Sequence, residues 1–416
     1  MASRVLIIAF HFPPAMGYSG TQRALKFARY LPEHNWQPAV LTVHPRAYER
    51  SGGDQLSELP DEMPIVRAFG LDAMRHLSLK GRYFRFTAMP DRWTSWWWGA
   101  VPAGLKLIKQ FKPDLIWATY PIATSHRIAH TLSGLTGLPW VADFRDGQWT
   151  ETFPSDPVLR KEFVGLEAKH VASASRVVVT TDGIRQMYQQ RYPSLEPQRF
   201  EVIANGYDEE NFSQLQTQVV PPKERPLHLV HSGIVYPGEE ERDPITLMQV
   251  LATLRDAGEI GPESLKITFR GCGMEAYVRE QIAQYQLQSM VSVAPTMPYA
   301  EALQEMASVD GLLLLQGAHF SHLIPAKLFE YLRMGKPLLA LADPAGNAAC
   351  LMRAAGLSSI TPQHDLDQIA SVLKQFMADL RKGSWPKPDP TVVRRYERSS
   401  LTGDLAKLLE QVKAEG

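Results

Sequence analysis

The sequence has little cysteine, no net charge and no long apolar run. Only two of its 416 residues are cysteines, Cys272 and Cys350, which excludes a disulfide framework and a four-cysteine zinc site and favours a cytoplasmic location. Lys and Arg together number 44, as do Asp and Glu. Because proteins that bind nucleic acids normally carry a basic excess, we expect no nucleic-acid partner. No apolar run approaches the roughly 18 residues of a membrane-spanning helix.

Several motifs are also absent. The sequence contains no Walker A motif and no HExxH pair. Its only Asp-x-Asp is Asp365-Leu366-Asp367, which is typical of a helix start capped by Asp365, so we expect no metal site there. The apolar run Val5–Phe10 after Arg4 predicts a buried first strand rather than a signal peptide, because His11 and the Pro13-Pro14 pair interrupt it.

Short apolar runs alternate with helical patterns along the whole chain. Hydrophobic residues make up 44% of the chain and charged residues 21%, as in ordinary globular proteins. Continuous Val, Ile and Leu runs indicate strands covered on both faces of a parallel sheet. The predicted fold is therefore α/β, with two Rossmann-like, doubly wound domains facing a central cleft. The predicted strands are Arg4–Phe10, Pro38–Val43, Ile65–Phe69, Asp114–Thr119, Trp140–Phe144, Arg176–Thr181, Glu201–Ala204, Leu227–Ser232, Leu265–Arg270, Val291–Pro295, Gly311–Gln316 and Pro337–Ala342.

Proline-rich and polar segments predict the domain limits. We expect a first domain over 1–206, a linker over 207–226, a second domain over 227–385 and a closing helical segment over 386–416.

The first strand leads into the loop PPAMGYSGT. Gly17 and Gly20 would let the backbone approach a ligand, and Thr21 is expected to cap the following helix, whose N–H groups attract phosphate. The alternative is a plain loop of any α/β protein.

Charged residues follow the buried strand Trp140–Phe144. Asp143, Arg145 and Asp146 lie at a carboxyl end of a strand, where α/β proteins place their chemistry, and they could orient or deprotonate a hydroxyl. An Arg–Asp pair that only holds the loop is an equally good interpretation.

The second half carries a comparable set. Gly233 ends its first strand, Arg242 precedes a helix and could clamp a diphosphate, and Gly271 lies in a glycine turn beside Cys272. Cys272 lacks an evident base, so we interpret it as a small buried residue rather than a nucleophile.

The segment HFSHLIPAKLFEYLRMGKPLLALAD is the most informative. Pro325 predicts a helix start, and Lys327 and Glu330 then share one face of its first turns. A helix N-terminus with a lysine suits a pyrophosphate, and a glutamate one turn later suits the hydroxyls of a ribose. The alternative is an ordinary amphipathic helix with a Lys–Glu pair.

With these stretches in place, the chain resembles the retaining nucleotide-sugar glycosyltransferases of family four, which have the two-domain GT-B fold. The resemblance covers nearly the whole chain in order. Its matching stretches are PPAMGYSGTQR, VADFRD, VIANGYD, HSGIVY with a following RDP, and IPAKLFEYLRMGKPLLAL.

The resemblance implies that a nucleotide diphosphate sugar binds mainly the second domain. Glu330 would hold the ribose, and the closing segment Val392–Leu409 would return to the first domain. Donor contacts are implied for Gly17, Gly20, Gly233, Arg242, Gly271, Thr296, Ala326 and Lys327.

One position departs from the family pattern. The family has two glutamates with seven residues between them; Glu330 is the second, and the first is replaced by His322. His322 would lie near the donor sugar, where it could still bond a hydroxyl, and the first-domain candidates remain Asp143, Arg145 and Asp146.

The implied reaction is transfer of a sugar to a glycan or lipid-linked acceptor with retained configuration, without a metal or other cofactor, in cell-surface polysaccharide synthesis. Two alternatives stay open: a nucleotide-sugar epimerase or hydrolase on this fold, and a non-catalytic nucleotide-binding homologue.

Residues 72–112 combine eight Lys and Arg with two Asp and many aromatic residues. This mixture predicts a peripheral contact with the inner face of the membrane. The alternative is that the tryptophans are core residues and the charges a solvated face.

Overall fold

The structure is a computed structural model. It describes residues 2–16, 19–53, 55–60, 62–80, 82–151, 153–213, 215, 225–238 and 242–416. The chain divides into two compact units, Met1–Ala204 with Arg398–Gly416, and Asn205–Glu397.

The first unit is built on a parallel sheet of seven strands in the order β3-β2-β1-β4-β5-β6-β7. Its inner strands are almost entirely buried, because their Val, Ile and Leu runs are covered on both faces. The strands are β1 Ser3–Ala9, β2 Trp36–Val43, β3 Ile65–Ala68, β4 Leu115–Thr119, β5 Trp140–Arg145, β6 Arg176–Val179 and β7 Phe200–Val202. The helices are α1 Ser19–Tyr30, α2 Ala73–His76, α3 Trp96–Phe111, α4 Ala123–Thr136, α5 Pro157–Ser173 and α6 Asp182–Arg191.

The second unit has a parallel sheet of six strands in the order β10-β9-β8-β11-β12-β13. The strands are β8 Leu227–Ser232, β9 Leu265–Arg270, β10 Val291–Ala294, β11 Gly311–Gln316, β12 Leu338–Ala342 and β13 Ile360–Thr361. The helices are α7 Ile245–Asp256, α8 Glu275–Gln284, α9 Tyr299–Ser308, α10 Ala326–Met334, α11 Asn347–Ala354, α12 Leu366–Lys382 and α13 Pro390–Arg394. The predicted doubly wound α/β architecture is confirmed in both sheets.

The last helix, α14 Arg398–Glu415, belongs to the first unit. It packs on α1 and β4, and Glu410 and Lys413 both bond the Ser3 hydroxyl. Residues 386–397 of the predicted closing segment lie in the second unit instead. The predicted helix Val392–Leu409 is wrong as a single element, since α13 ends at Arg394 and α14 starts at Arg398.

Local signals explain several element ends. The Asp365 carboxylate accepts a hydrogen bond from the Gln368 amide and caps α12, as predicted. Gly335 ends α10 with a φ of 67°, a conformation that glycine adopts without strain. The prediction for Thr21 is wrong, because α1 already begins at Ser19 and Thr21 lies inside its first turn. Residues 214 and 216–224 of the predicted linker lie outside the described residues.

A candidate donor site in the second unit

Lys327 is the centre of the candidate site. Its side chain is partly buried and belongs to the second residue of α10, which begins directly after the N-cap residue Pro325. The Lys327 ammonium lies 3.4 Å from Nε2 of His231, at the end of β8. Nδ1 of His231 lies 3.0 Å from the Leu313 carbonyl oxygen, which can only accept a hydrogen bond. Nδ1 therefore carries the proton, and Nε2 is free to accept from the lysine.

The electrostatics of this pair are unusual. Burial lowers the pKa of His231 well below its usual value, and the Lys327 charge adds to this, so the ring stays neutral. Burial, and after it the positive charge of Arg242, lowers the pKa of Lys327 to about 7. The positive charge of Arg242 thus acts on a partly desolvated lysine, and an anion that contacts both groups would relieve their repulsion.

Arg242 is held by its neighbours in the loop before α7. Its guanidinium carbon lies 4.9 Å from the ring centre of Phe320 and 5.7 Å from that of Tyr236. The adjacent Asp243 is buried and accepts hydrogen bonds from the Gly238 and Ile245 amides and from the Tyr277 hydroxyl. These bonds fix Asp243 just before α7, and the two aromatic rings lie against the arginine.

Gly233 leaves room for the lysine. Its φ is 109°, in the region that favours glycine, and a Cβ at this position would lie 2.8 Å from Lys327 Nζ. The missing side chain of Gly233 is what lets Lys327 approach the end of β8, and the predicted donor contact of Gly233 stays a prediction.

Glu330 lies one turn after Lys327. Its Oε1 accepts a hydrogen bond of 2.7 Å from the hydroxyl of Tyr299, which starts α9 and is 47% exposed. This bond fixes one carboxylate oxygen. A carboxylate can accept hydrogen bonds from two hydroxyls, and the ribose contact predicted for Glu330 stays a prediction.

Gly271 and Thr296 lie side by side after β9 and β10. Gly271 has a φ of 57°, and a Cβ there would lie 3.1 Å from the Thr296 methyl group. Thr296 and Ala326 are both exposed and therefore accessible to a ligand. Cys272 is buried, and burial raises the pKa of its thiol, in accord with the expected structural role.

His322 is carried by the loop between β11 and α10. The buried amide of Gln316, at the end of β11, donates hydrogen bonds to the carbonyl oxygens of Phe320 and Leu323. The loop on either side of His322 is thereby tied to the sheet, and the imidazole is partly buried.

The first-unit candidates separate into different roles. Asp143 is fully buried and accepts two hydrogen bonds from the Arg23 guanidinium and one from the Thr119 hydroxyl. Arg23 also donates to the carbonyl oxygens of Ile203 and Ala204. The structure therefore contains the Arg–Asp pair of the alternative interpretation, but the arginine is Arg23.

Arg145 and Asp146 follow at the end of β5. Arg145 has a φ of 62° and lies beside Gly20, where a Cβ would be 2.9 Å from its Nη1 and 3.2 Å from Nδ1 of His11. Burial and the Arg145 charge lower the pKa of His11 to about 3, so this ring is neutral. Asp146 is partly exposed and accepts a hydrogen bond from the Thr180 hydroxyl. Gly17 lies outside the described residues.

Sequence reasoning missed four residues of the second-unit site. His231 stood in a quoted motif, but its contact with Lys327 depends on which strands are neighbours. Nothing in the sequence indicated a role for Tyr299 and Phe320, which follow strands, or for Gln316, which ends one. Among the described residues, no group of three or more His, Cys, Asp or Glu side chains is placed to hold a metal ion.

Comparisons with known proteins bear on the first half of the sequence and on the fold. Residues 20–206 match the family model described as a glycosyl transferase 4-like domain. No curated protein matches the sequence. Sucrose-phosphate synthase from Thermosynechococcus elongatus has a similar solved structure, with a TM-score of 0.66 and 14% identity over 100% of both chains.

Two further solved structures are informative. HepE from Anabaena, solved in complex with UDP and with UDP-glucose, has a TM-score of 0.62 and 15% identity over 98% of this chain; the matches cover 100% and 99% of those chains. UDP-GlcNAc 2-epimerase from Neisseria meningitidis, bound to UDP-GlcNAc, has a TM-score of 0.52 and 12% identity over 98% of this chain and 100% of the other. The chain thus has the glycosyltransferase-like GT-B fold with two Rossmann-like domains, as the sequence predicts.

Proposed function

We propose that this protein is a retaining glycosyltransferase that moves a sugar from a nucleoside diphosphate sugar to a hydroxyl of a glycan or lipid-linked acceptor. The observation that carries the proposal is Lys327, a partly buried lysine at the start of α10 on which the positive charge of Arg242 acts. The family match of residues 20–206 supports transfer as the reaction.

The diphosphate would contact Lys327, Arg242 and the first N–H groups of α10. The leaving diphosphate gains negative charge as the glycosidic bond breaks. Fixed positive groups stabilise that charge more in the transition state than in the ground state, which is what lowers a barrier. In this proposal Gly233 admits the lysine, and neutral His231 orients it without adding a competing charge.

The nucleoside would lie along Glu330, Gly271 and Thr296. Glu330 would accept from the ribose hydroxyls, with Tyr299 holding its carboxylate in place. His322 would contact the donor sugar from the loop that Gln316 secures.

In the first unit, we assign Arg145 and Asp146 to the sugar or acceptor. Asp146 retains solvent access, whereas the Asp143 carboxylate is already occupied by Arg23 and Thr119. We therefore propose that Asp143 maintains the shape of the β5 end and takes no part in proton transfer. The proposed setting is cell-surface polysaccharide synthesis in the cytoplasm, at the inner face of the membrane.

The direct test is to incubate the full-length protein with a panel of nucleotide sugars and acceptors. We expect release of the nucleoside diphosphate from at least one donor. Lys327→Ala should lower kcat/KM about 100-fold or more. Lys266→Ala is the matched control, because Lys266 is an exposed lysine on β9 of the same unit. Equal activity of Lys327→Ala and the control would refute the site.

The epimerase alternative is favoured only by fold similarity to the epimerase. Product analysis without acceptor separates the two reactions. An isomerised nucleotide sugar would support the epimerase, and an intact donor that reacts only when an acceptor is added would support transfer.

A further inference from the structure

A short surface segment of the first unit concentrates exposed apolar side chains. Residues 74–86 contain six of the twenty large hydrophobic residues that are exposed among the described residues. Leu79, Phe84 and Phe86 are 79%, 73% and 74% exposed. Apolar side chains gathered in this way on a surface mark a site of interaction. The six are Met74, Leu77, Leu79, Tyr83, Phe84 and Phe86.

The backbone holds this segment in a defined shape. The buried Asp72 caps α2, and the backbones of Leu79 and Arg82 form an antiparallel bridge with two hydrogen bonds. The rings of Phe84 and Phe86 stack at 5.7 Å between centres. The apolar groups are therefore presented by turns and not by a long helix.

The same segment is basic throughout. It contains Arg75, Lys80, Arg82 and Arg85 and no acidic residue. Arg85 pairs with exposed Asp156 of the α5 cap, while Lys80 and Arg82 form no ion pair with another described residue. Exposed aromatic groups beside unneutralised cations match the interfacial zone of a bilayer that carries anionic headgroups.

The four tryptophans that suggested a broader contact over 72–112 differ in burial, and Trp93 and Trp97 are half-buried. Trp96 is fully buried, and the indole N–H groups of Trp93 and Trp97 donate to the Ala47 carbonyl and the Thr131 hydroxyl. Trp98 alone among the four is 72% exposed. The core interpretation thus holds for Trp96, and the exposed apolar side chains of 72–112 other than Trp98 and Leu105 lie in residues 74–86.

We propose that residues 74–86 dock this protein onto a lipid surface that carries negative charge. Phe84, Phe86 and Leu79 enter the headgroup region, and Lys80 and Arg82 meet the anionic headgroups. The proposal rests on the proposed function, because docking would bring the acceptor-side domain to a lipid-linked acceptor. No described helix is long and apolar enough to cross a bilayer, so contact from one side is the form of association that fits.

Vesicle flotation of the full-length protein tests the proposal. With vesicles of 70% phosphatidylcholine and 30% phosphatidylglycerol we expect binding that falls in 0.5 M NaCl, and little binding to phosphatidylcholine alone. The variant Phe84→Ser/Phe86→Ser should bind at least tenfold more weakly. One cation near such a surface raises the affinity for it about fivefold, so Lys80→Glu/Arg82→Glu should also bind the vesicles at least tenfold more weakly.

Leu135→Ser and Lys382→Glu are matched controls, because both residues are exposed and lie outside the segment. Their binding should equal that of the wild type. Absence of wild-type binding to anionic vesicles, or binding by either double variant that equals that of the wild type, would overturn the proposal. A soluble protein partner captured through residues 74–86 without vesicle binding would overturn it too.

Donor turnover measured on the same variants with a soluble acceptor keeps the two proposals separate. We expect unchanged turnover in Phe84→Ser/Phe86→Ser. A wild type that binds vesicles but turns over no nucleotide sugar would refute the proposed function and leave the docking surface standing.

Discussion

At the scale of single residues, Lys327 is the group whose charge depends most on its surroundings. Its pKa is lowered to about 7 by burial and by Arg242, so a large part of the population is neutral above that pH. A diphosphate would restore the charge and raise the pKa. Binding therefore takes up a proton, and affinity should fall as the pH rises above 7.

We expect the affinity for UDP-glucose to fall on the order of tenfold between pH 7 and pH 8.5. UDP-glucose is a suitable probe because its diphosphate does not titrate in this range. Calorimetry in buffers of different ionisation heats would measure the proton uptake directly. Lys327→Arg should abolish both the uptake and the pH dependence; a wild-type affinity that stays flat across this range would contradict the assignment.

Tyr299 provides the second residue-scale prediction. Its hydroxyl holds Oε1 of Glu330, and a hydrogen bond to a charged group contributes about 1.5–3 kcal/mol. Tyr299→Phe should raise the KM for the donor about tenfold and change kcat little. In a double-mutant cycle with Glu330→Gln the two losses should not add; fully additive effects would show that the hydroxyl acts independently of the carboxylate.

At the scale of elements, Gly233 follows β8 and lies against Lys327 at the start of α10. Gly233→Ala combines a positive φ with a Cβ that would lie 2.8 Å from Lys327 Nζ. We expect a stability loss of about 1–2 kcal/mol and at least a tenfold loss of donor affinity.

Gly258→Ala is the matched control for this change. Gly258 has a φ of 71°, and a Cβ there meets nothing within 4 Å. Urea unfolding should show a similar loss of stability in both variants, with donor affinity reduced only in Gly233→Ala. Equal donor affinity in the two variants would show that the space at Gly233 has no part in the site.

Most of the element pattern could be predicted from the sequence, because buried parallel strands are continuous apolar runs and α10 is bounded by Pro325 and Gly335. The strand Ile360–Thr361 could not, since two residues give no periodicity. Two contacts could not be predicted from the sequence either: that of His231 with Lys327 and that of Asp143 with Arg23. Each joins residues about 100 positions apart or more, and only the strand order brings them together.

At the scale of the whole molecule, buried histidines tie stability to pH. In the first unit, the ring centres of His126 and His130 lie 5.9 and 5.8 Å from that of His170. Burial lowers the pKa of His126 to about 4 and that of His170 well below its usual value. Their folded pKa values lie below the unfolded value near 6.5, so the unfolded chain binds more protons as the pH falls.

The contribution of these neutral histidines to the free energy of unfolding should therefore be fully present above pH 6.5 and be lost as the pH falls from 6.5 to about 4. For His126 the loss at pH 4 is roughly 3 kcal/mol. His170→Phe should reduce this loss, because both ring nitrogens of His170 lack a hydrogen-bond partner among the described residues. His364→Gln, at an exposed position, should leave the loss unchanged. Urea midpoints measured from pH 7.5 to pH 4.5 test this; identical pH profiles for wild type and His170→Phe would contradict it.

The central claim is that Lys327 and Arg242 form a diphosphate site in the second unit. Titration calorimetry with a panel of nucleoside diphosphates (UDP, GDP, ADP and dTDP) at pH 7 tests it most directly, with Lys327→Ala, Arg242→Ala and the control Lys266→Ala. The account predicts that wild type and control bind alike and that each site variant binds at least tenfold more weakly. Binding that is equal in all four proteins, or absent from the wild type, would contradict it.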